Sequence, residues 1–127
     1  APPQPGTAVL CGCMVKGELV LDSIRWSGCN STLESLTHDL PIVTQRGKLM
    51  RGRHTAAILQ MMGVTETITE TIDDYVSTAV RVARDKPWRI AIKSRIAENK
   101  HRLYRDRACI VALEDFLDHA ARQSGAP

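Results

Sequence analysis

The sequence predicts an α/β fold with short parallel strands and a helix-rich C-terminal half. Three observations carry that expectation. Two short apolar runs, residues 18–23 (ELVLDS) and 42–44 (IVT), are bounded by polar or turn-forming residues and have the length of buried strands. About 18 residues lie between Asp22 and the second run, with Leu33 and Leu36 spaced for one helical face, enough for a right-handed crossover and so for a βαβ unit. Beyond Thr44, apolar residues recur at helical spacing through four successive segments.

Residues 1–6 carry three prolines and a glycine and read as a leader. A first apolar run, 8–15, precedes Lys16-Gly17, and the second run follows it. Gly28 breaks the chain, and Ser31 starts a helix that runs to about His38, with Pro41 beyond it. Gly47 marks a turn. A helix from about Leu49 then runs to Met62, with Gly63 placed as its C′ residue and Met50, Ala57, Ile58, Met61 and Met62 as its apolar face. The pair Met61-Met62, with Leu59, reads as core. Thr71 with Asp74 makes a capping arrangement ahead of a helix whose stripe is Ile72, Tyr75, Val76, Ala79, Val80 and Ala83. Pro87 suits the first turn of the next helix, with Trp88, Ile92, Ile96, Asn99 and Leu103 inward. After a break at Tyr104-Arg105, a last helix is expected to turn Ile110, Leu113, Phe116, Leu117 and Ala120 inward. The expected organisation is a leader over 1–17, a folded half-lobe over 18–122 and a tail over 123–127. No period repeats across these elements, which argues against a solenoid.

A chain of 127 residues holds one domain at most, and 43% apolar with 24% charged residues is globular composition. With aromatics at 4%, the core must be built from Leu, Ile, Val, Ala and Met. A net charge of +3 is too small to name nucleic acid as a partner, although it suits an anionic ligand. The basic run Lys93, Arg95, Lys100, Arg102, Arg105 and Arg107 has only Tyr104 interleaved and reads as a solvated face. Cys11, Cys13, Cys29 and Cys109 lack the spacing of a disulfide framework or a zinc site, so they read as free thiols in a reducing, cytoplasmic setting. His101 and His119 read as surface histidines. No apolar run is long enough for a membrane span.

Ligands of open α/β sheets bind beyond the carboxyl ends of the strands. Here that is the segment from Trp26 to Thr32, joining the first strand to the first helix. Its small residues permit close backbone approach, and a helix start offers unpaired N–H groups and partial positive charge to a diphosphate. Glu34, one turn on, could accept hydrogen bonds from ribose hydroxyls. Ser31 and Glu34 also satisfy the S-x-x-E capping box, and on spacing alone capping is the stronger reading.

Four segments in order, WSGCNSTLESL, LPIVTQRGKLMRGRH, ILQMMGVTETI and ENKHRLYRDRACIVALEDFL, resemble the C-terminal segments of O-GlcNAc-transferase-like SPINDLY proteins linked to tetratricopeptide repeats. The resemblance spans roughly three-quarters of the chain. It implies glycosyltransferase family 41, with a partial Rossmann-like C-terminal lobe of a GT-B fold and UDP-GlcNAc as donor substrate, without a metal or further cofactor. By position it implies diphosphate contacts at Asn30, Ser31 and Thr32 and a ribose contact at Glu34. Arg51, Arg53 and His54 would face the same cleft; as charges near a helix start, Arg51 and Arg53 read equally well as solvated. Cys29 stands where bacterial relatives carry glycine and animal relatives histidine, and Gln45-Arg46-Gly47 replaces the family's Leu-Pro-Gly. The repeat array, the N-terminal catalytic lobe and the first half of the donor lobe have no counterpart in the sequence. The expectation is therefore a sugar-nucleotide-binding piece inactive by itself, with the missing lobes as partner and self-association through unpaired edges. The alternative is a non-enzymatic interaction module that keeps the fold without the ligand.

Overall fold

Three short parallel strands and two crossover helices build the part of the molecule that carries the site. The computed structural model describes residues 17–125. The run at 8–15 and the Cys11-Gly12-Cys13 segment lie outside the described residues. Strand β1 (Val20–Leu21) is followed by helix α1 (Asn30–Thr37), strand β2 (Ile42–Gln45), a single 3-10 turn (Met50–Gly52), helix α2 (His54–Met62) and strand β3 (Ile68–Thr69). The strand order is β1-β2-β3, with Val20 opposite Ile42 and Thr44 opposite Ile68. The expected βαβ unit is present, and a second one follows it.

Among the described residues β1 is an edge strand, where the sequence predicts a buried one. It is two residues long, and Leu21 is 55% exposed. Among the described residues only β2 pairs with it, so the apolar run has a described partner on one side alone. β3 was absent from the sequence expectation. Its surroundings, Thr65 to Thr69, are mostly polar, and the pairing with β2 extends them through Thr44 N–H to Thr67 C=O at 3.1 Å and Arg46 N–H to Thr69 C=O at 2.8 Å.

Helix α3 (Ile72–Arg84) begins at Thr71, whose hydroxyl accepts from the Asp74 N–H, as the capping pattern predicts. Helix α4 (Lys86–Asn99) has Asp85 accepting from the Trp88 N–H and proline in its first turn. Ile92 and Ile96 of α4 join Leu36, Ile42, Val43, Leu59, Met62, Val64 and Val82 in the core. Each such side chain contributes roughly 1.5–3 kcal/mol on burial. A 3-10 turn (Lys100–Leu103) leads to helix α5 (Ala108–Gln123).

Three expected apolar faces are corrected. α2 turns Thr55, Ala56, Leu59 and Met62 inward and leaves Met50, Ala57 and Met61 exposed. Its start at His54 and the anchoring of Thr55 described below set that rotation. In α3, Tyr75, Ala79 and Val82 face the core, whereas Ile72, Val76, Val80 and Ala83 are exposed. Two apolar stripes fit one helical period, and the Tyr75 hydroxyl, bonded to the Asp22 carbonyl, selects between them. The third correction is the largest. α5 forms with the expected bounds, yet none of its residues is buried, and Ile110, Leu113, Phe116 and Leu117 are open to solvent. Arg105, at φ 59, redirects the chain just after Tyr104 ties back to α1 through the Leu33 carbonyl. Periodicity identifies a shared face but says nothing of what covers it.

Candidate functional site

Both crossover helices start at one polar cleft beyond the end of β1. The cleft, about 430 Å3 in volume, is bounded by the last residues of β1, the loop from Trp26 to Thr32 and His54 at the start of α2. α1 begins at Asn30, with Cys29 as its N-cap, and the Cys29 side chain makes no capping hydrogen bond. Ser31 therefore lies inside the first turn, and the capping box open to Ser31 and Glu34 does not form. The first-turn N–H groups have no intrahelical acceptor, and they carry the positive end of the helix macrodipole.

The floor of the cleft is a buried hydroxyl–carboxylate network. Asp22, 7% exposed, accepts from the Ser27 and Thr44 hydroxyls on Oδ2 at 2.7 Å each and from the Gly28 N–H on Oδ1 at 2.8 Å. The Thr55 N–H donates to Ser27 Oγ at 2.9 Å, so a serine on the first loop caps α2, whose own N-cap, Arg53, supplies no side-chain bond. Thr32 and Thr55 hydroxyls meet at 2.8 Å. Gly28 is required by crowding: a Cβ there would lie 2.7 Å from Ser31 Oγ and 2.9 Å from Thr32 Oγ1. Tyr75 donates its hydroxyl to the Asp22 carbonyl at 2.8 Å, and burial, followed by the nearby Asp22 charge, raises its pKa.

The expected site residues separate into two groups. Asn30, Ser31, Thr32 and His54 border the cleft. Asn30 and Ser31 are exposed there, whereas Thr32 is buried with its hydroxyl turned to Thr55. Glu34 is exposed one turn on and is not among the residues bordering the cleft. Arg51 reaches the rim, its guanidinium 5.2 Å over the Trp26 ring and its carbonyl accepting from the Ser27 N–H at 2.7 Å. Arg53 is exposed and lies away from the cleft wall. The loop of Gln45-Arg46-Gly47 is tied by Gly47 N–H to Gly52 C=O at 2.8 Å and by an Arg46–Glu70 ion pair at 3.1 Å.

Sequence reading missed Asp22, Ser27, Thr44 and Thr55 as one cluster. Polar residues at strand and helix ends were the available signal, but their convergence depends on the sheet. Among the described residues no group of three or more His, Cys, Asp or Glu is placed to hold a metal. Cys29 and Cys109 are free and exposed. Part of the basic run is engaged internally, Arg95 with Glu66 and the Gly63 carbonyl, Lys100 with Asp39. Among the described residues no helix is long and apolar enough to cross a membrane.

Parallel strands whose crossover helices open onto a shared cleft define an α/β lobe, and the similarities of this chain make it a glycosyltransferase-like one. No family model matches the sequence. It is 31% identical over 68 residues to the probable UDP-N-acetylglucosamine–peptide N-acetylglucosaminyltransferase SPINDLY of Eustoma exaltatum subsp. russellianum, and equally to that of Hordeum vulgare. The match covers 54% of this chain and 7% of each relative. A mutant of the O-GlcNAc transferase of Thermobaculum terrenum superposes with a TM-score of 0.81 at 28% identity, over 98% of this chain and 25% of that one. These similarities support assignment of the chain to the O-GlcNAc transferase/SPINDLY family. It spans about a quarter of the solved transferase and a much smaller share of the curated relatives.

Proposed function

We propose that this lobe binds the diphosphate of a nucleotide sugar, UDP-GlcNAc, in the cleft at the start of α1. The observation that carries this reading is the first turn of α1, without a capping bond from Cys29, opening onto the cleft. Backbone N–H groups and the Asn30 and Ser31 side chains would meet the phosphate oxygens, with His54 across from them. The Thr32 hydroxyl serves the floor, so its contribution is backbone. Glu34 is the ribose partner suggested by family position.

The 127-residue polypeptide is expected to lack glycosyl transfer by itself. In a two-lobed transferase, donor and acceptor are oriented between lobes, and orientation accounts for several kcal/mol of barrier reduction. Transfer would then need the lobes present in longer relatives. A cytoplasmic setting fits the two free, exposed thiols. Calorimetric titration with UDP tests the reading. Binding that is lost in the Asn30→Ala/Ser31→Ala double variant supports it, and absence of heat at millimolar UDP sinks it.

One observation favours a second reading, an interaction module that keeps the fold without the ligand: the uncovered apolar face of α5. That reading gains if UDP fails to bind while α5 recruits a protein partner.

A further inference from the structure

The loop that borders the cleft is not held by its own turn hydrogen bonds. Besides the Ser27 N–H bond to the Arg51 carbonyl, its hold centres on one side chain. Asp22 stands one residue past β1 and gathers donors from three places: the hydroxyl of Ser27, the N–H of Gly28 and, from the central strand, the hydroxyl of Thr44. An ionised carboxylate only accepts, so the protons of Ser27 and Thr44 must point to it. Ser27 Oγ is thereby left free to accept from the Thr55 N–H, which fixes the start of α2. The Thr55 hydroxyl lies within hydrogen-bonding distance of Ser27 Oγ, Thr32 Oγ1 and the Gly28 carbonyl, at 2.8, 2.8 and 3.2 Å. One buried charge thus orders the donors and acceptors around both helix starts.

We propose that Asp22 is the positioning residue of this cleft, acting on the ligand only through the backbone it holds. The inference rests on the reading that the cleft takes a nucleotide diphosphate. Asp22 sets the path of Ser27-Gly28-Cys29, and that path determines where the first N–H groups of α1 aim. Without its acceptor, the Gly28 N–H and the buried Thr44 hydroxyl would lose their partner, the Ser27 hydroxyl would have to turn to Thr55, and the loop would relax. Asparagine at this position keeps an acceptor for the Gly28 N–H and, by turning the two hydroxyls, can pair its amide with them. Alanine supplies nothing.

The experiment is UDP titration of the full chain as wild type, Asp22→Ala and Asp22→Asn, with urea unfolding and Cys29 thiol reactivity measured on each. Asp22→Ala is expected to weaken UDP binding at least tenfold and to change Cys29 reactivity, while Cys109 reacts as before. Asp22→Asn should restore affinity to within about threefold of wild type, a recovery that a general loss of stability does not give. If wild type does not bind UDP, the reading of the cleft fails. If wild type binds and folded Asp22→Ala binds equally well, the role of Asp22 fails. Should Asp22→Ala not fold, Thr44→Val removes one Asp22 donor at a residue outside the cleft wall. It is expected to weaken UDP severalfold, and unchanged affinity there would equally overturn the proposal.

Discussion

Ser27 and Thr55, 28 residues apart, are joined twice: their hydroxyl oxygens lie 2.8 Å apart and the Thr55 N–H reaches Ser27 Oγ at 2.9 Å. The contact fastens the first loop to the start of α2, so both walls of the cleft share one fulcrum. Ser27→Ala removes the cap of α2 and a donor to Asp22 together, at a site 5% exposed where water cannot readily replace them. A loss of about 1–3 kcal/mol is expected, read from urea unfolding against wild type. Unaltered stability would mean that the contact carries no net energy.

Tyr75 gives the fold a dependence on alkaline pH. Its hydroxyl must stay protonated to donate to the Asp22 carbonyl, and burial, then the Asp22 charge, raises its pKa above the ordinary 10.0. Between the unfolded and folded pKa values the native state keeps a proton that the unfolded chain has released. The stabilisation is therefore complete below about pH 10 and is lost as pH rises through the folded value. Tyr75→Phe should be less stable than wild type at pH 8, with the gap narrowing towards pH 11. Because the Tyr104 pKa is also raised, first by burial, the comparison is best made in a Tyr104→Phe background. A gap that does not change with pH would contradict the assignment.

Local chemistry was legible in the sequence and long-range convergence was not. Thr71 with Asp74, Pro87 and Gly63, which sits at φ 75 after α2, are each decided within four residues of chain, and each stands where the sequence puts it. The strand of Ile68 and Thr69 was missed because only pairing with Thr44 and Gln45 makes those residues extended. The start of α1 was legible to within one residue, but that residue decides whether Ser31 caps the helix or lies inside it. Asp22, Ser27, Thr44 and Thr55 read as unrelated polar residues until two strands and two helices bring them together.

The uncovered face of α5 predicts self-association when the chain is studied alone. Helices of 16 residues are marginal in water without packing, and this one turns Ile110, Leu113, Phe116 and Leu117 to solvent. A second copy is the apolar surface at hand in a pure sample. Light scattering should show mass rising above one chain with concentration, and Phe116→Glu/Leu117→Glu should hold it at one chain. A single-chain mass for wild type at high concentration would refute this.

Cys29 offers a direct footprint of the ligand. Its thiol is free, exposed and on the cleft wall at the N-cap of α1, whereas Cys109 is equally free but sits on α5, outside the residues that border the cleft. A diphosphate seated on the first turn of α1 would contact the backbone immediately after Cys29 and shield its Sγ, leaving Cys109 as it was. With UDP at saturating concentration, peptide-level mass spectrometry should find Cys29 alkylation slowed severalfold and Cys109 alkylation unchanged. Asn30→Ala/Ser31→Ala should abolish the protection without altering the rate in its absence by more than about twofold. Equal slowing at both cysteines would indicate a general effect of the nucleotide on the chain, and no slowing at Cys29 under conditions where calorimetry detects binding would move the ligand elsewhere on the surface.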